Sequence, residues 1–366
     1  MKVAIALSLA PLILLAQTDP ASDSFDRISS QAREAWNANR TDEAVDLFTR
    51  AVNMRPDWGE GWWALGTLDY EAGRYQACRD HLNHLVQLDP SAPAAWALLG
   101  LCEFEIRQFD SSLQHLKRAH MFAPPGSGGQ LLDAANYHLA LLLTRQGAYE
   151  LSQEILLRVA EHVKDNSAML VGCGLATLRI PILPDEVQPS QKEVVALAGK
   201  TFWDLSTGPP AAAQAGFAAL LAKYPAFPNV HYLYGTYLAA HEPDKAAAQF
   251  LAELRLTPGS VPARVQLALR YLVEQRVEEA LKMAREAVAL SPDSVGTQLT
   301  LGRVLRAKGD HPAALRAFLE AKRLDTLSPE VRLYLATEYR ALGMREDMRR
   351  EQAEHDWLKA EQPNWP

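Results

Sequence analysis

Proline recurs in this chain at a fixed interval of 34 residues, and this period constrains the fold more than any other feature of the sequence. The interval separates the members of two series, which are Pro56, Pro90 and Pro124, and then Pro258 and Pro292. A fixed period of roughly 20 to 50 residues is typical of chains that stack one supersecondary unit many times. The period therefore predicts a repeat array.

Other columns follow the same period when the chain is aligned on these prolines. A leucine followed by a small residue recurs at one pair of columns, as in Leu65-Gly66, Leu99-Gly100, Leu267-Ala268 and Leu301-Gly302. Three apolar columns recur nearer the proline, with a small residue at the first of them, as in Ala44-Phe48-Ala51, Cys78-Leu82-Leu85, Ala280-Ala284-Ala287 and Ala314-Phe318-Ala321. The agreement of these columns indicates that the repeats share one structure.

Two antiparallel helices per repeat explain these columns. Small residues let the two backbones approach, larger residues fill the space beside them, and proline ends the second helix because it lacks an N–H group. One such pair cannot bury its apolar face alone, so pairs must stack. The pattern W…LG…Y…A…F…A…P resembles the tetratricopeptide repeat family over most of residues 25–360. The resemblance implies an all-α, right-handed solenoid of about eight to nine helix pairs.

The regular pattern is interrupted in the middle of the chain. Residues 167–179 look like a first helix without a partner, and residues 180–190 contain three prolines, which exclude a continuous helix. We predict an N-terminal repeat block at 25–166, an irregular helix and proline-rich crossing loop at 167–190, and a C-terminal block at 191–362. The loop is either a hinge or an apolar brace. The last helix of the C-terminal block is highly charged, as expected of a solvated cap on a solenoid.

Residues 1–16 have the pattern of a signal peptide. Lys2 precedes an apolar run from Val3 to Ala16, which is shorter than the roughly 20 residues that a membrane-spanning helix needs. The sequence therefore predicts an exported protein, periplasmic or secreted, with no integral membrane span once the signal is removed. The alternative is an uncleaved segment that tethers the protein.

No catalytic motif is recognisable in the sequence. It contains no HExxH, GxSxG, GxxxxGK[ST] or GxGxxG pattern. His81 and His84 share a helix face, but no further ligands accompany them as a metal site requires. A net charge of −7 with both signs interspersed argues against nucleic-acid binding. We therefore predict a protein that is not an enzyme and has no cofactor, metal or nucleic-acid partner.

The three cysteines leave two alternatives open. Cys78 and Cys102 lie in neighbouring repeats, on columns predicted to face the interior, where a disulfide is conceivable in an oxidising compartment. The simpler alternative is that these two and Cys173 are small buried residues, since a free cysteine packs like a small hydrophobic residue.

The resemblance also implies which side chains face a binding groove. In tetratricopeptide repeats the first helices line the concave side, and fixed repeat positions face the partner. Carried onto this sequence, those positions predict partner-binding residues Arg33, Trp36, Trp63, Tyr70, Glu71, Phe104, Tyr137, Arg303, Arg306 and Arg340. Trp62 occupies the neighbouring packing column and is predicted to lie in the core. The alternative is that the aromatic residues of this set pack on one another.

The charge balance differs between the two blocks. Residues 25–165 carry 13 basic and 19 acidic side chains, whereas residues 261–366 carry 17 and 16. The first groove is therefore suited to an extended segment with apolar and basic side chains, and the arginines of the second to a carboxylate.

These observations favour a non-catalytic scaffold that binds a protein or peptide segment through an aromatic concave groove. One alternative is a structural or assembly factor of the cell envelope that binds a large partner through convex or terminal surfaces. Another is an enzyme with a site at the 167–210 junction, where the candidate side chains are Asp185, Glu186, Glu193 and Asp204.

Overall fold

The computed structural model describes residues 20–123, 129–164 and 167–361, so the predicted signal peptide lies outside the described residues. These residues form 19 α-helices and no β-strand. Among them, no helix is both long enough and apolar enough to cross a membrane. The helices are α1 (Pro20–Asn37), α2 (Thr41–Met54), α3 (Gly59–Glu71), α4 (Tyr75–Leu88), α5 (Pro93–Glu105), α6 (Phe109–Phe122), α7 (Gln130–Arg145), α8 (Tyr149–Ala160), α9 (Ser167–Thr177), α10 (Lys192–Thr207), α11 (Pro210–Lys223), α12 (Val230–His241), α13 (Pro243–Leu256), α14 (Val261–Val273), α15 (Val277–Leu290), α16 (Val295–Ala307), α17 (His311–Leu324), α18 (Pro329–Ala341) and α19 (Arg345–Glu361).

The chain divides between Gln108 and Phe109 into two compact units. In the first unit α1 packs on α2, α3 packs on α4, and α4 packs on α5. The predicted small columns lie at the centre of these contacts, since Ala44, Phe48 and Ala51 are fully buried. The helix-pair prediction is therefore confirmed here at its most specific positions.

The second unit contains a longer stack of helix pairs. Its C-terminal part pairs α12 with α13, α14 with α15, α16 with α17, and α18 with α19. The close approach of α16 and α17 depends on Gly302, because a Cβ atom there would lie 2.4 Å from the ring of Phe318. Phe318 is itself fully buried. The leucine–glycine column of the sequence thus marks the place where first and second helices touch.

A helix forms within residues 167–179 as predicted, but the prediction that it lacks a partner is wrong, because α9 packs closely along α10. A Cβ atom at Gly174 would lie 2.0 Å from the carbonyl oxygen of Val195, and one at Gly199 would lie 1.7 Å from that of Leu170. Glycine is required at both places, since any side chain would collide with the backbone of the facing helix. The sequence pattern missed the pair because α9 and α10 are separated by the proline-rich loop.

The loop between α9 and α10 packs on the core of the second unit, to which it belongs. It contains a short 3₁₀ turn at Pro184–Glu186. Leu183 and Val187 are buried, and Val187 belongs to a core cluster with Val194 and Phe217. This packing corresponds to the apolar brace, not to the hinge.

The charged last helix is more than a solvated cap. Glu351 of α19 is buried and accepts hydrogen bonds from Arg332 at 2.8 Å and Lys322 at 2.7 Å. Leu358 is also buried, whereas Trp357 is 53% exposed. The helix is therefore anchored by this ionic cluster and by Leu358, together with Met348 against the core and His355 on the carbonyl oxygen of Pro329, while most of its charges face solvent.

Candidate functional site

Two of the predicted binding residues on α1 are engaged inside the first unit. Arg33 makes a two-pronged ion pair with Glu60, at 2.6 Å for both contacts, and its guanidinium lies 5.3 Å from the ring centre of Trp58. These hydrogen bonds hold the pKa of the Glu60 carboxyl below its usual range. Trp36 contacts the buried Phe48 edge-on at 5.8 Å. Both side chains are thus held in place by their own unit.

The two adjacent tryptophans of α3 are each half-buried. Trp62 is only half-buried: its Nε1 donates to the carbonyl oxygen of Pro56 at 2.8 Å, and its ring stacks on His84 at 4.4 Å. Trp62 therefore lies at the edge of the core cluster of the first unit, on the packing side as predicted, and it is not fully buried because its neighbours on α4 are histidines. Trp63 is half-buried as well and lines an open cleft of about 620 Å³.

The other predicted residues of the first unit lie near the ends of their helices. Tyr70 meets Tyr75 edge-on at 5.6 Å, and burial raises the pKa of its hydroxyl. Glu71 is exposed, and Phe104 is half-buried near the end of α5. Tyr70 therefore packs on an aromatic ring outside the predicted set.

Tyr137 is half-buried and contacts the neighbouring helix α9. Its hydroxyl donates to the carbonyl oxygen of Ala168 at 2.7 Å, and its ring occupies the space that a Cβ atom at Gly172 would need. Burial raises the pKa of this hydroxyl well above its usual value. The side chain packs α7 against α9 within the second unit, through contacts with residues outside the predicted set.

The arginines of α16 are assembled around an aromatic ring that the sequence analysis did not select. The guanidinium carbons of Arg303 and Arg306 lie 5.8 and 5.2 Å from the ring centre of Tyr334 on α18. That ring is stacked on the buried Phe318, with 5.2 Å between centres and 7° between planes. We call Arg303, Arg306 and Tyr334 the Arg–Tyr platform. Its geometry is fixed because its ring rests on the core.

The positive charge of the platform is only partly balanced. Glu338, which is fully buried, accepts a hydrogen bond from Nδ1 of His311 at 2.9 Å, and its second oxygen lies 3.7 Å from Nε of Arg306. Arg303 has no carboxylate partner in the part of the chain that the structure describes. The same holds for Arg340, which is exposed and occupies the repeat column of Arg306 one repeat later.

Tyr334 and Glu338 could have been found by extending the period beyond its last proline. Both lie on α18 and contact arginines of α16, one repeat earlier. Another aromatic group was also missed, in which Tyr237 of α12 contacts Phe217 at 4.6 Å and His241 at 4.2 Å. These residues lie in the irregular middle of the sequence, where the columns give no guide.

The junction carboxylates do not converge. Glu186 pairs with Arg145 at 3.2 Å, Glu193 pairs with Lys223, and Asp204 pairs with Lys200. Across the described residues, no group of three or more His, Cys, Asp or Glu side chains is placed to hold a metal ion.

Cys78 of α4 and Cys102 of α5 are joined by a disulfide in the first unit. The simpler alternative for these two cysteines is therefore wrong, although both are fully buried. Cys173 is free and buried, as that alternative expected.

Comparisons with known proteins agree with the repeat pattern. Family models described as tetratricopeptide repeat match residues 35–102 and residues 265–329. A TPR repeat-containing protein of Rhizobium etli is 27% identical over 81 residues, which are 22% of this chain and 40% of the relative. The chain thus matches less than half the length of that curated relative. These matches confirm the resemblance in both regular parts of the sequence.

Two solved structures are similar at low identity. A crystal structure of MamA is 16% identical, covering 45% of this chain and 97% of that chain with a TM-score of 0.40. The crystal structure of yeast Tom70 is 12% identical, covering 93% of this chain and 77% of that chain with a TM-score of 0.42.

Proposed function

We propose that this tetratricopeptide-repeat protein is a non-catalytic scaffold that captures protein or peptide segments on the first helices of its repeats. The observation that carries the proposal is the Arg–Tyr platform. Arginine and tyrosine are the residue types most enriched at binding hot spots. Because Tyr334 rests on Phe318, the two guanidinium groups lose little freedom when a partner binds.

The platform is suited to an acidic segment with apolar side chains. Arg303 of the platform, and Arg340 on the same helix as Tyr334, supply guanidinium groups that have no carboxylate partner among the described residues, and charge-assisted hydrogen bonds to carboxylates are the strongest available to them. Leu333 on α18 is 44% exposed and offers apolar surface beside Tyr334. The partner class follows from these two features together.

An exported location is part of this proposal. The disulfide between Cys78 and Cys102 supports it, since disulfides persist mainly in oxidising compartments. The signal-like run at residues 1–16 supports it from the sequence. We place the protein in the periplasm or outside the cell, with an uncleaved tether as the alternative.

The proposal is tested by fluorescence anisotropy with the full chain and a labelled peptide of sequence Gly-Glu-Leu-Glu-Leu-Glu-Gly. We expect the Arg303→Gln/Arg340→Gln variant to bind about tenfold more weakly, since two ion pairs of about 0.2–1 kcal/mol each sum to roughly 0.4–2 kcal/mol and about 1.4 kcal/mol is a factor of ten. The control is Arg285→Gln/Arg316→Gln, which removes two exposed arginines from the second helices α15 and α17. Equal affinity of the two double variants for the acidic peptide would show that Arg303 and Arg340 do not form the binding site.

A second candidate is an assembly factor that binds a large folded partner through its C-terminal end. The observation that favours it is Trp357, which is 53% exposed on the last helix. Crosslinked capture of a partner that is lost in Trp357→Ala but kept in Arg303→Gln/Arg340→Gln would select this alternative.

A further inference from the structure

The first unit contains an open cleft of about 620 Å³ that the platform does not involve. It forms where α3 begins, α4 ends and α5 begins. We call it the Trp63 cleft. Its lining includes Asp57, Glu60, Trp63, Leu85, Leu88 and Asp89.

The inner surface of the cleft is apolar. Trp63 is half-buried, Leu85 is 8% exposed and Leu88 is 44% exposed. The alanines of the α4–α5 connection add small apolar surface without closing the space. A leucine and a tryptophan side by side in an open concavity form a contact surface for an apolar side chain or for the aliphatic stem of a long one.

The charge of the cleft is negative and only one of its carboxylates is neutralised. Both carboxylate oxygens of Glu60 accept hydrogen bonds from the guanidinium group of Arg33. Asp57 is exposed and has no cationic partner among the residues described. Asp89 uses one oxygen to accept from the backbone N–H and hydroxyl of Ser91, at 3.1 and 2.7 Å, and it too has no cationic partner there.

Local structure accounts for only one oxygen of the Asp89 carboxylate, which accepts the hydrogen bonds from Ser91. Asp89 directly follows the last residue of α4, where the helix dipole presents partial negative charge and a carboxylate is unfavourable. A cation at this place would therefore relieve repulsion from both the helix end and Asp57. The apolar surface and the unbalanced negative charge both favour a ligand that combines an apolar stem with a cationic group.

We propose that the Trp63 cleft binds an extended polypeptide segment that presents a lysine or arginine side chain next to an apolar one. The aliphatic stem would lie along Trp63 and Leu88, and the cationic head would reach Asp57 and Asp89. The inference rests on the proposed function of segment capture, but it concerns the other unit and the opposite ligand charge. Charge complementarity identifies the occupant.

The experiment measures anisotropy of a labelled peptide, Gly-Lys-Leu-Lys-Leu-Lys-Gly, with the full chain and the Asp57→Asn/Asp89→Asn variant. We expect the variant to bind about fivefold to tenfold more weakly and with a smaller dependence on salt. The matched control is Glu34→Gln/Asp42→Asn, which removes two exposed carboxylates of the first unit that lie outside the cleft. Trp63→Ala is expected to weaken binding at every salt concentration.

Three results would overturn the proposal: no binding of the lysine peptide, equal binding of a Gly-Gln-Leu-Gln-Leu-Gln-Gly peptide, or equal weakening by the control variant. The Arg303→Gln/Arg340→Gln variant is expected to bind the lysine peptide like wild type. Failure of the cleft is therefore measured separately from failure of the platform, which is tested with the acidic peptide.

Discussion

In the first unit, Cys78 of α4 and Cys102 of α5 are joined by a disulfide, whereas the same two repeat columns in the second unit hold Ala314 and Glu338. The shift that superimposes Pro56 on Pro292 brings these positions into register. Glu338 is fully buried like Cys102, but it bonds to His311 on the preceding helix pair. In the first unit the contact between consecutive repeats is a covalent bond between Cys78 and Cys102. In the second unit it is a hydrogen bond between His311 and the carboxylate of Glu338.

The difference teaches how each unit supports its proposed binding surface. The disulfide ties together α4 and α5, which supply the Leu85–Asp89 and Ala92–Ala95 walls of the Trp63 cleft. Glu338 lies beside Arg306 and supplies the nearest negative charge to the Arg–Tyr platform. The first support depends on redox conditions, and the second depends on ionisation.

Removal of the disulfide should have the largest effect. We expect Cys78→Ala/Cys102→Ala to destabilise the first unit by about 3 kcal/mol, because the bond closes a segment with a sequence separation of 24 residues. Amide hydrogen exchange of α4 and α5 measures this loss locally. Binding of the lysine peptide should fall with it, while the acidic peptide should bind as before.

The control for this variant is Cys173→Ala. Burial raises the pKa of the Cys173 thiol to about 12, so it stays protonated and does not exchange with the disulfide. Unchanged exchange of α4 and α5 after loss of the disulfide would show that noncovalent packing alone holds the first unit together.

Neutralising Glu338 should have a smaller effect, and one of opposite sign on binding. We expect Glu338→Gln to cost about 1–2 kcal/mol of stability in the second unit, because His311 loses a charged acceptor. The acidic peptide should bind about twofold to fivefold more tightly, because Arg306 loses the carboxylate 3.7 Å away. Denaturant unfolding and anisotropy measure the two quantities.

Glu278→Gln is the matched control, since Glu278 forms an exposed ion pair with Lys308 in the same unit. Weaker binding of the acidic peptide by Glu338→Gln than by this control would mean that Glu338 positions Arg306 and does not compete with the ligand.

The smallest expected effect concerns Asp69, the buried carboxylate of the first unit. Burial raises the pKa of Asp69, but hydrogen bonds from His81 at 2.8 Å and Arg74 at 2.7 Å outweigh it and hold the pKa below its ordinary value. A carboxyl with a depressed folded-state pKa stabilises the fold above its unfolded pKa of about 3.9. That contribution is lost as the pH falls through the lower, folded value.

We therefore expect the stability difference between wild type and Asp69→Asn to be constant above about pH 5 and to shrink below about pH 4. Urea unfolding monitored between these conditions gives the difference directly. A difference that does not change with pH would show that packing of the side chain, and not its ionisation, stabilises α3 and α4.

The sequence predicted the helix pairs more reliably than it predicted how deeply individual side chains are buried. Its columns place Trp62 on the packing side, where it contacts the core cluster, but they do not show that its ring also stacks on His84 and stays half-buried. Tyr137 was assigned to a groove, yet it fills the space above Gly172. That contact crosses the break in the period, so no column relates the two residues.

The sequence by itself determined the 34-residue period, and with it the helix pairs and the buried Ala314-Phe318-Ala321 columns. The same pattern recurs in each regular repeat, so it can be recognised without knowledge of contacts between distant residues. Only the tertiary structure decided that α9 pairs with α10, that Tyr334 carries two arginines and that α3, α4 and α5 enclose a cleft. Each of these arises between residues in different helices, where the side chains on both sides together fix the outcome.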